Sequence, residues 1–231
     1  MRKVSEIITN ARKENRKNLL EPEAKAICQE YNLPVTEFKV ARKENDAVKF
    51  AEEIGYPVVL KIVSPDIIHK SDVGGVVINL KAADEVERAY KTIITNVKKH
   101  QPDAKIHGIL VQEMAPPSTE IIIGAIKDDQ FGPSVMFGLG GIFVEVLKDV
   151  VFRIAPVTKQ EAEVMIKEIK AYPVLKGYRN QPPLDINAIS DTIVKTSKLV
   201  TDYQEIKELD LNPVMVYEKG AKIVDARIIL E

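Results

Sequence analysis

The sequence places a lysine inside an apolar strand and a histidine on the polar segment that follows it. Lys61 lies within the run VVLKIV, residues 58–63, and His69 lies within SPDIIHKSDVGG, residues 64–75. An unpaired ammonium is costly to bury, so Lys61 needs an anion, either a ligand phosphate or a nearby carboxylate. A neutral imidazole is a competent nucleophile near pH 7. The pair indicates phosphate chemistry, with an ion-paired lysine and an ordinary surface histidine as the competing interpretation.

A second polar group lies on two apolar strands near the end of the sequence. Alternation along ELDLNPV places Asp210 and Asn212 on one strand face. If Glu218-Lys219 forms a two-residue turn, Asp225 on the next strand lies directly opposite Asn212. Carboxylate and amide oxygens without His or Cys favour Mg²⁺ over Zn²⁺. The alternative is an exposed strand face with ordinary charges, and a slip of one residue in register would remove Asp225 from the group.

Two further segments have residues that suit a nucleotide. Gly140 and Gly141 in FGLGGIF permit close approach of the backbone to a phosphate, although a simple turn is the plainer interpretation. The strand ending at residues 112–114 stops before Pro116-Pro117, where exposed backbone groups can bind an adenine edge. Glu120 begins the next strand and can accept a hydrogen bond from a ribose hydroxyl, although a loop with ordinary charges explains the same residues.

These residues must be positioned by a mixture of helices and antiparallel hairpins. The patterning predicts helices over residues 5–19 and 21–31, a helix capped by Asp46, and a long helix from Asp84. Strands are predicted over residues 35–40, 57–63, 74–80, 106–114, 119–127, 134–138, 150–155, 205–217 and 222–230. The predicted fold class is α+β, or mixed α/β, and not a regular parallel sheet.

Composition excludes several classes of protein. The chain has 231 residues and a formal net charge of −1, so bulk electrostatics favour neither nucleic acid nor an anionic membrane. No apolar run reaches the length of a membrane span, and the N-terminal segment lacks the apolar core of a signal peptide. Cys28 is the single cysteine, which excludes an internal disulfide framework and is typical of a cytoplasmic protein.

Five ordered segments together resemble the β subunits of the ADP-forming acetyl-CoA synthetases, ATP-grasp proteins related to succinyl-CoA synthetase. The segments are GYPVVLKIVSPDIIHKSDVGGV, VQEMAPP with the Glu120 that follows, FGLGGIFVEVLKDVVFRIAP, LKGYRNQPPLD, and ELDLNPV with VDAR. One departure is visible, because the family often has Gly-x-Arg-Gly where this chain has Gly177-Tyr178-Arg179-Asn180. Asn tolerates positive φ, so we expect the turn to be kept.

The resemblance implies a fold and a set of site residues. The implied fold is an ATP-grasp fold of two α+β subdomains, residues 21–112 and 113–231, with an N-terminal helix of residues 1–20 packed on the second. His69 is implied to receive a phosphoryl group, and its loop is expected to be mobile without the partner, with Gly74-Gly75 as a hinge. The implied ligand contacts are Lys61 and the Gly140-Gly141 backbone at the phosphates, Gln112, Glu113 and Met114 at adenine, Glu120 at ribose, and Asp210, Asn212 and Asp225 at Mg²⁺.

The resemblance also implies a reaction and a partner. The reaction is acyl-CoA + ADP + phosphate to acid + ATP + CoA, with ATP/ADP and Mg²⁺ as the cofactors. The partner is an α subunit that binds CoA and bears its own phosphohistidine, in an expected α2β2 heterotetramer. Two alternatives stay open, a stand-alone ATP-grasp carboxylate–amine ligase and a non-catalytic ATP-sensing module. Neither alternative needs His69, so this histidine favours the synthetase subunit.

Overall fold

The computed structural model describes residues 2–141, 144, 146–179 and 182–231. Its helices are α1 Arg2–Lys13, α2 Glu21–Glu30, α3 Glu44–Ile54, α4 Ala83–His100, α5 Lys159–Glu168, α6 Tyr172–Leu175 and α7 Ile186–Asp202. Its strands are β1 Phe38–Ala41, β2 Val58–Val63, β3 Val76–Leu80, β4 Gly108–Glu113, β5 Thr119–Asp128, β6 Gly132–Leu139, β7 Val150–Ile154, β8 Ile206–Val216, β9 Ala221–Ile223 and β10 Ala226–Leu230. The neighbouring strands of both sheets are antiparallel, so the predicted α+β class is confirmed.

The chain divides into two compact units. The smaller unit comprises Leu20–Pro22 and Thr36–Ala115, and the larger comprises the N-terminal segment to Leu19 with Glu23–Val35 and Pro116–Glu231. Residues 23–35 thus pack with the larger unit, although the sequence division assigns them to the first subdomain. The physical reason is local: Val35 bridges to Ile223, whose N–H donates to the Pro34 carbonyl at 2.8 Å. The functional subdomain boundaries remain a prediction.

The smaller unit is a four-stranded sheet covered by α3 and α4. The strand order is β1-β4-β2-β3, which places β2 in the interior of the sheet. Helix α4 buries residues three and four apart, as its sequence pattern predicts, and these pack with the inward residues of β2. The members of this core include Val58, Leu60, Ile62, Val86, Ile93 and Val97. Strand β2 is buried at every position, so its single charged residue is held in a rigid, apolar setting.

The larger unit is built on the sheet order β10-β8-β5-β6-β7, with β9 also paired to β8. Helices α1, α2, α5 and α7 contribute to the core on one face of this sheet. That core includes Val4, Ile8, Ile27, Ile121, Ile123, Phe137, Met165, Ile193, Leu209 and Leu211. Because side chains alternate along a strand, the remaining positions of β5, β6 and β8 form a second face, here called the open face.

The predicted N-terminal helix over residues 5–19 is wrong at its end. Helix α1 stops at Lys13, and Asn15 follows with a φ of 54°. The chain then runs beside β10, where Leu19 N–H donates to the Ile228 carbonyl at 3.0 Å and Leu230 N–H donates to the Lys17 carbonyl at 2.8 Å. Pairing with a strand more than 200 residues away overrides local helix propensity.

Three smaller corrections concern other element ends. Asp46 is not a cap, because α3 begins at Glu44 after Lys43, which makes no side-chain capping bond. The predicted strand over residues 222–230 is two strands, since Asp225 accepts a hydrogen bond from the Ala226 N–H at 3.0 Å between β9 and β10. A short helix, α6, lies at the start of residues 172–183, a segment whose sequence pattern predicts irregular structure. Asn180 lies outside the described residues.

Among the described helices, none combines the length and the hydropathy needed to cross a bilayer.

Candidate functional site

Lys61 lies on β2 with 9% of its side chain exposed and forms an ion pair with Glu21. The Lys61 Nζ to Glu21 Oε1 distance is 2.7 Å, and only 3% of the Glu21 side chain is exposed. The carboxylate also lies 3.1 Å from the Lys70 Nζ. The sequence left two candidates for the anion at Lys61, a ligand phosphate and a carboxylate of the protein. The structure supplies the carboxylate. Both ammonium groups thus contact the same buried carboxylate, and a phosphate that reaches Lys61 must share the lysine with Glu21 or displace it.

His69 is exposed on the loop between β2 and β3. The loop is closed at its base, because Gly75 N–H donates to the Lys70 carbonyl at 2.7 Å and Ile62 N–H donates to the Gly75 carbonyl at 2.8 Å. A Cβ at Gly75 would lie 2.7 Å from the Ile62 side chain, so this approach requires glycine. Gly74 has a φ of 62°, a conformation that favours glycine.

The two aspartates near His69 do not hydrogen-bond to it within the part of the chain that the structure describes. Asp66 instead accepts a hydrogen bond from the Lys105 N–H at 2.7 Å, which fixes the start of the loop. Asp72 is exposed. An aspartate that accepts a hydrogen bond from one ring nitrogen would orient the imidazole, and we keep this role for Asp66 or Asp72 as a prediction for another state of the loop.

The N–H groups of Glu113 and Met114 in the predicted adenine hinge are engaged by the protein. Glu113 N–H donates to the Glu37 carbonyl at 2.9 Å, and Met114 N–H donates to the Pro57 carbonyl at 3.2 Å. Gln112 is fully buried within β4. An adenine edge cannot use either N–H unless these bonds open, a constraint that the sequence does not reveal because the two acceptors come from distant segments.

The predicted strand register is confirmed at Asp210, Asn212 and Asp225, here called the oxygen-ligand group. Asp210 pairs with Arg227 and Val214 pairs with Ile223, which places Asn212 opposite Asp225. Asn212 N–H donates to the Asp225 carbonyl at 3.3 Å. The turn is also the predicted one, since Tyr217 N–H donates to the Gly220 carbonyl at 3.1 Å across Glu218-Lys219. Asp210, Asn212 and Asp225 therefore share the open face of the larger unit, and their metal-binding role is a prediction.

The electrostatics of Asp210 suit a bound cation. Burial raises the pKa of its carboxyl above the ordinary value, while the charge of Arg227 lowers it and that of Glu208 raises it. A cation beside the carboxylate would reverse the effect of burial. The neighbouring strand leaves room there, because Gly124 pairs with Asp210 and has no side chain. The oxygen-only donor set fits Mg²⁺, and no cluster of three or more His, Cys, Asp or Glu suited to a metal occurs among the described residues.

Glu120 is a position of the open face on β5, and Gly140 and Gly141 directly follow β6. Glu120 is exposed at the start of β5 and pairs with Met215. Gly140 N–H donates to the Glu120 carbonyl at 2.8 Å, so it is not available to a phosphate, a correction to the prediction that the backbone at Gly140 would donate. Gly141 has a φ of 59°, and a Cβ there would meet nothing within 4 Å. Of the two glycines, Gly141 is therefore the one whose backbone a phosphate can approach.

The structure assigns the predicted residues to separate units. Lys61, His69 and residues 112–114 belong to the smaller unit, while Glu120, Gly140, Gly141 and the oxygen-ligand group belong to the larger. Two contacts were missed by sequence reasoning, Glu21 with Lys61 and Glu21 with Lys70. The only sequence signal was the need of Lys61 for an anion, which does not say which carboxylate supplies it.

Comparison with protein families finds a match to the ATP-grasp domain over residues 10–230. Among curated proteins, the chain is 57% identical over 228 residues to the ADP-forming acetate–CoA ligase I subunit β of Pyrococcus furiosus. That match covers 99% of this chain and 98% of the relative.

Comparison with solved structures gives the same result. The chain matches the dinucleotide-forming acetyl-coenzyme A synthetase 1 of Ca. Korarchaeum cryptofilum, in complex with coenzyme A, Ca-AMPCP and HgCl⁺, with a TM-score of 0.95 and 55% identity over 98% of this chain and 99% of that one. Another structure of that enzyme contains coenzyme A and Mg-AMPPCP, and its phosphohistidine segment points towards the nucleotide-binding site. It matches with a TM-score of 0.89 and 50% identity over 99% of this chain and 100% of that one.

Proposed function

The chain belongs to the ATP-grasp family and, within it, to the β subunits of the ADP-forming acetate–CoA ligases, and we propose that His69 carries the phosphoryl group in its reaction. As an acid–thiol ligase subunit, it takes part in the reversible conversion of acyl-CoA, ADP and phosphate to acid, ATP and CoA. The nucleotide half of this reaction falls to the ATP-grasp chain.

The observation that supports this role is the placement of His69. It is exposed on the loop fed by β2, the buried strand that bears Lys61, and both residues belong to the smaller unit. An exposed imidazole can reach a partner subunit, whereas a buried lysine cannot leave its strand. The phosphohistidine segment of the related Korarchaeum enzyme, which points towards the nucleotide-binding site in one structure, supports the same division of labour.

In the direction of ATP synthesis, a β-phosphate oxygen of ADP attacks the phosphorus carried by His69. The new O–P bond forms as the N–P bond breaks, and the bonding electron pair returns to the ring nitrogen. Phosphoryl transfer depends on positioning and charge neutralisation more than on covalent help from the protein. Lys61 supplies positive charge at the nucleotide phosphates, and Gly141 permits close approach of the backbone.

The remaining site residues hold the nucleotide. Asp210, Asn212 and Asp225 would hold Mg²⁺, which neutralises phosphate charge when bound. Glu120 accepts a hydrogen bond from the ribose. Gln112, Glu113 and Met114 border the adenine, and Gly140 contributes by its lack of a side chain.

The designation of the relatives as β subunits implies an α partner. We place CoA binding and the acyl-phosphate chemistry on that partner, and we expect an α2β2 assembly. Measurement of the mass of the purified complex tests the stoichiometry, and a mass equal to one α and one β chain would contradict it. A cytoplasmic location fits the single cysteine, Cys28, which is buried.

The test is transfer of label from ATP. The α and β chains are incubated with Mg²⁺ and ATP labelled at the γ-phosphate, and acid-labile phosphate on β is measured. We expect labelling of wild type, loss of labelling in His69→Ala, and normal labelling in His100→Ala, the same substitution at another exposed histidine of the smaller unit. Equal labelling of His69→Ala and wild type would overturn the assignment.

The two alternatives make different predictions. A stand-alone ligase would release ADP with an amine acceptor and without α, and a sensing module would bind nucleotide without turnover when α is present. The comparisons favour neither alternative, because the matched relatives are named as acid–CoA ligase chains.

A further inference from the structure

One buried carboxylate of the smaller unit contacts two lysines that serve different parts of the proposed site. Glu21 Oε1 lies 2.7 Å from the Lys61 Nζ, and Glu21 Oε2 lies 3.1 Å from the Lys70 Nζ. The exposed fractions of the side chains are 3% for Glu21, 9% for Lys61 and 24% for Lys70. Burial strengthens the attraction between these charges relative to ion pairs in water.

The two lysines differ in how they are held. Lys61 is fixed by the ladder of β2, where it pairs with Leu110 on one side and Val76 on the other. Lys70 lies on the loop, directly after His69, and its carbonyl accepts the Gly75 N–H that closes the loop base. A force on the Lys70 side chain therefore acts on the segment that carries His69.

We propose that Glu21 is a positioning residue that couples nucleotide binding at Lys61 to the placement of the His69 loop through Lys70. The inference rests on the proposed function, because it requires a nucleotide phosphate at Lys61. The Glu21 carboxylate contacts both ammonium groups, so the strength of one contact affects the other. When a phosphate satisfies Lys61, the carboxylate pairs more strongly with Lys70, and the loop is held more tightly.

The coupling is reciprocal by thermodynamic linkage. A loop that is held by Lys70 and Glu21 leaves Lys61 freer to meet a phosphate. Conversely, phosphorylation of His69 adds negative charge beside Lys70, which competes with Glu21 for that lysine. Glu21 would thus release the loop when the phosphoryl group is on the histidine and hold it when ADP is bound and the histidine is empty.

The test is amide hydrogen exchange of residues 64–75 in the full chain, with and without Mg-ADP. In wild type we expect ADP to slow exchange of this segment about fivefold or more, the lower end of typical coupling. In Glu21→Gln and in Lys70→Met, bound ADP should slow it less than about twofold. Lys70→Arg keeps the charge and should restore most of the protection, which a purely structural role for the carboxylate would not predict.

The matched control is Glu53→Gln, the same substitution at a carboxylate that pairs with Lys39 on the surface of the same unit. It should keep the full response to ADP. If Glu21→Gln does not fold, Lys70→Met decides, because it leaves the Lys61–Glu21 pair intact.

Calorimetric titration of ADP separates the two proposals. If Lys61→Met binds ADP as tightly as wild type, the phosphate role of Lys61 fails, and the coupling fails with it. If Lys61→Met binds ADP weakly, but ADP protects the loop in Lys70→Met as in wild type, the coupling through Glu21 is overturned and the role of Lys61 stands. Absence of protection in wild type that binds ADP also overturns the coupling.

Discussion

Strands β2 and β8 both carry charged residues, but the two strands differ in how far the fold buries those residues. Strand β2 is buried at every position, and Lys61 has a carboxylate partner within the protein. Strand β8 alternates buried and partly exposed positions, so Asp210 and Asn212 face away from the core. A charge in a fully covered strand must be neutralised by the fold before any ligand arrives, whereas a charge on a half-covered strand remains accessible to one.

The difference in burial between β2 and β8 has electrostatic consequences for ligand binding. The Lys61–Glu21 pair is already satisfied, so a phosphate must share or displace a carboxylate. Asp210 has a raised pKa because of burial, with only a partial offset from Arg227, so a cation improves its state. A phosphate that binds at β2 exchanges with the carboxylate partner of Lys61, whereas a cation that binds at β8 gives Asp210 a new partner.

The largest expected effect concerns Lys61→Met. Removal of one partner of a buried ion pair leaves the other charge uncompensated. Because Lys70 still contacts Glu21, we expect the free energy of unfolding to fall by about 3 kcal/mol, the lower end of the range for such losses. Chemical denaturation measures it. Lys39→Met removes a surface ion pair and serves as the control. If both variants lose the same free energy of unfolding, burial does not distinguish the two ion pairs.

The next effect concerns the open face. A Cβ at Gly138 would lie 2.7 Å from the Asp149 carbonyl oxygen and 2.8 Å from a Val150 methyl group. We expect Gly138→Ala to lower the free energy of unfolding by about 1–3 kcal/mol through overpacking. Gly124→Ala, whose nearest contact is the flexible end of Met136 at 3.3 Å, should cost less. Thermal unfolding measures both variants. If Gly124→Ala were the more destabilised of the two, β7 would move away from an added methyl group more easily than the structure implies.

A smaller effect with a definite sign concerns Asp210→Asn. The folded-state pKa of Asp210 is raised, so ionisation opposes folding and stability falls as pH rises through that pKa. Without Mg²⁺ at pH 7, we expect the variant to gain up to about 0.5 kcal/mol, the scale of substitutions outside a core. The difference should vanish at acid pH. Unfolding midpoints from pH 4 to 8 measure both, and a clear loss of stability at pH 7 would contradict the account of Asp210.

The same variant should fail to respond to the metal nucleotide. Mg-ADP at 100 times its dissociation constant stabilises a protein by about 2.7 kcal/mol, and most of that gain should be lost in Asp210→Asn. Retention of the full gain would remove Asp210 from the proposed metal site without affecting the comparison of strands.

The smallest effect concerns Glu53→Gln at the surface. The hydrogen bond from Lys39 lowers the pKa of Glu53, so any contribution is present above the unfolded-state pKa and is lost as pH falls through the folded-state value. Solvent screens this exposed pair. We expect no change in the unfolding midpoint at pH 7, and a clear fall there would show that an exposed pair can matter as much as a buried one.

Neighbours that are set by a short loop could be predicted from the sequence. The register of β8 against β9 and β10 followed from a two-residue turn and the period of a strand, and Asn212 and Asp225 are paired as predicted. The arrangement of the oxygen-ligand group could therefore be predicted from the sequence alone. The alternation that places Asp210 and Asn212 on one face of β8 also holds for the residues between them, because Leu209 and Leu211 are buried.

Partners that are distant in the chain could not be predicted from the sequence. Lys61 was expected to need an anion, but its partner lies 40 residues earlier, and no local pattern identifies it. The N–H groups of Glu113 and Met114 are used by acceptors from two other segments. The N-terminal helix was predicted too long because pairing with β10 depends on the last residues of the sequence.

That pairing has a practical consequence for handling the protein. Lys17 and Leu19 bond to the outer edge of β10, and Asn18 bridges to Ile229, so the sheet does not end in an uncovered strand at this margin. Uncovered strand edges are templates for association between chains. Trimming the first 19 residues would uncover this edge to association between chains and would also remove Val4 and Ile8 from the core. A solubility tag is therefore better attached upstream of α1 than in place of it.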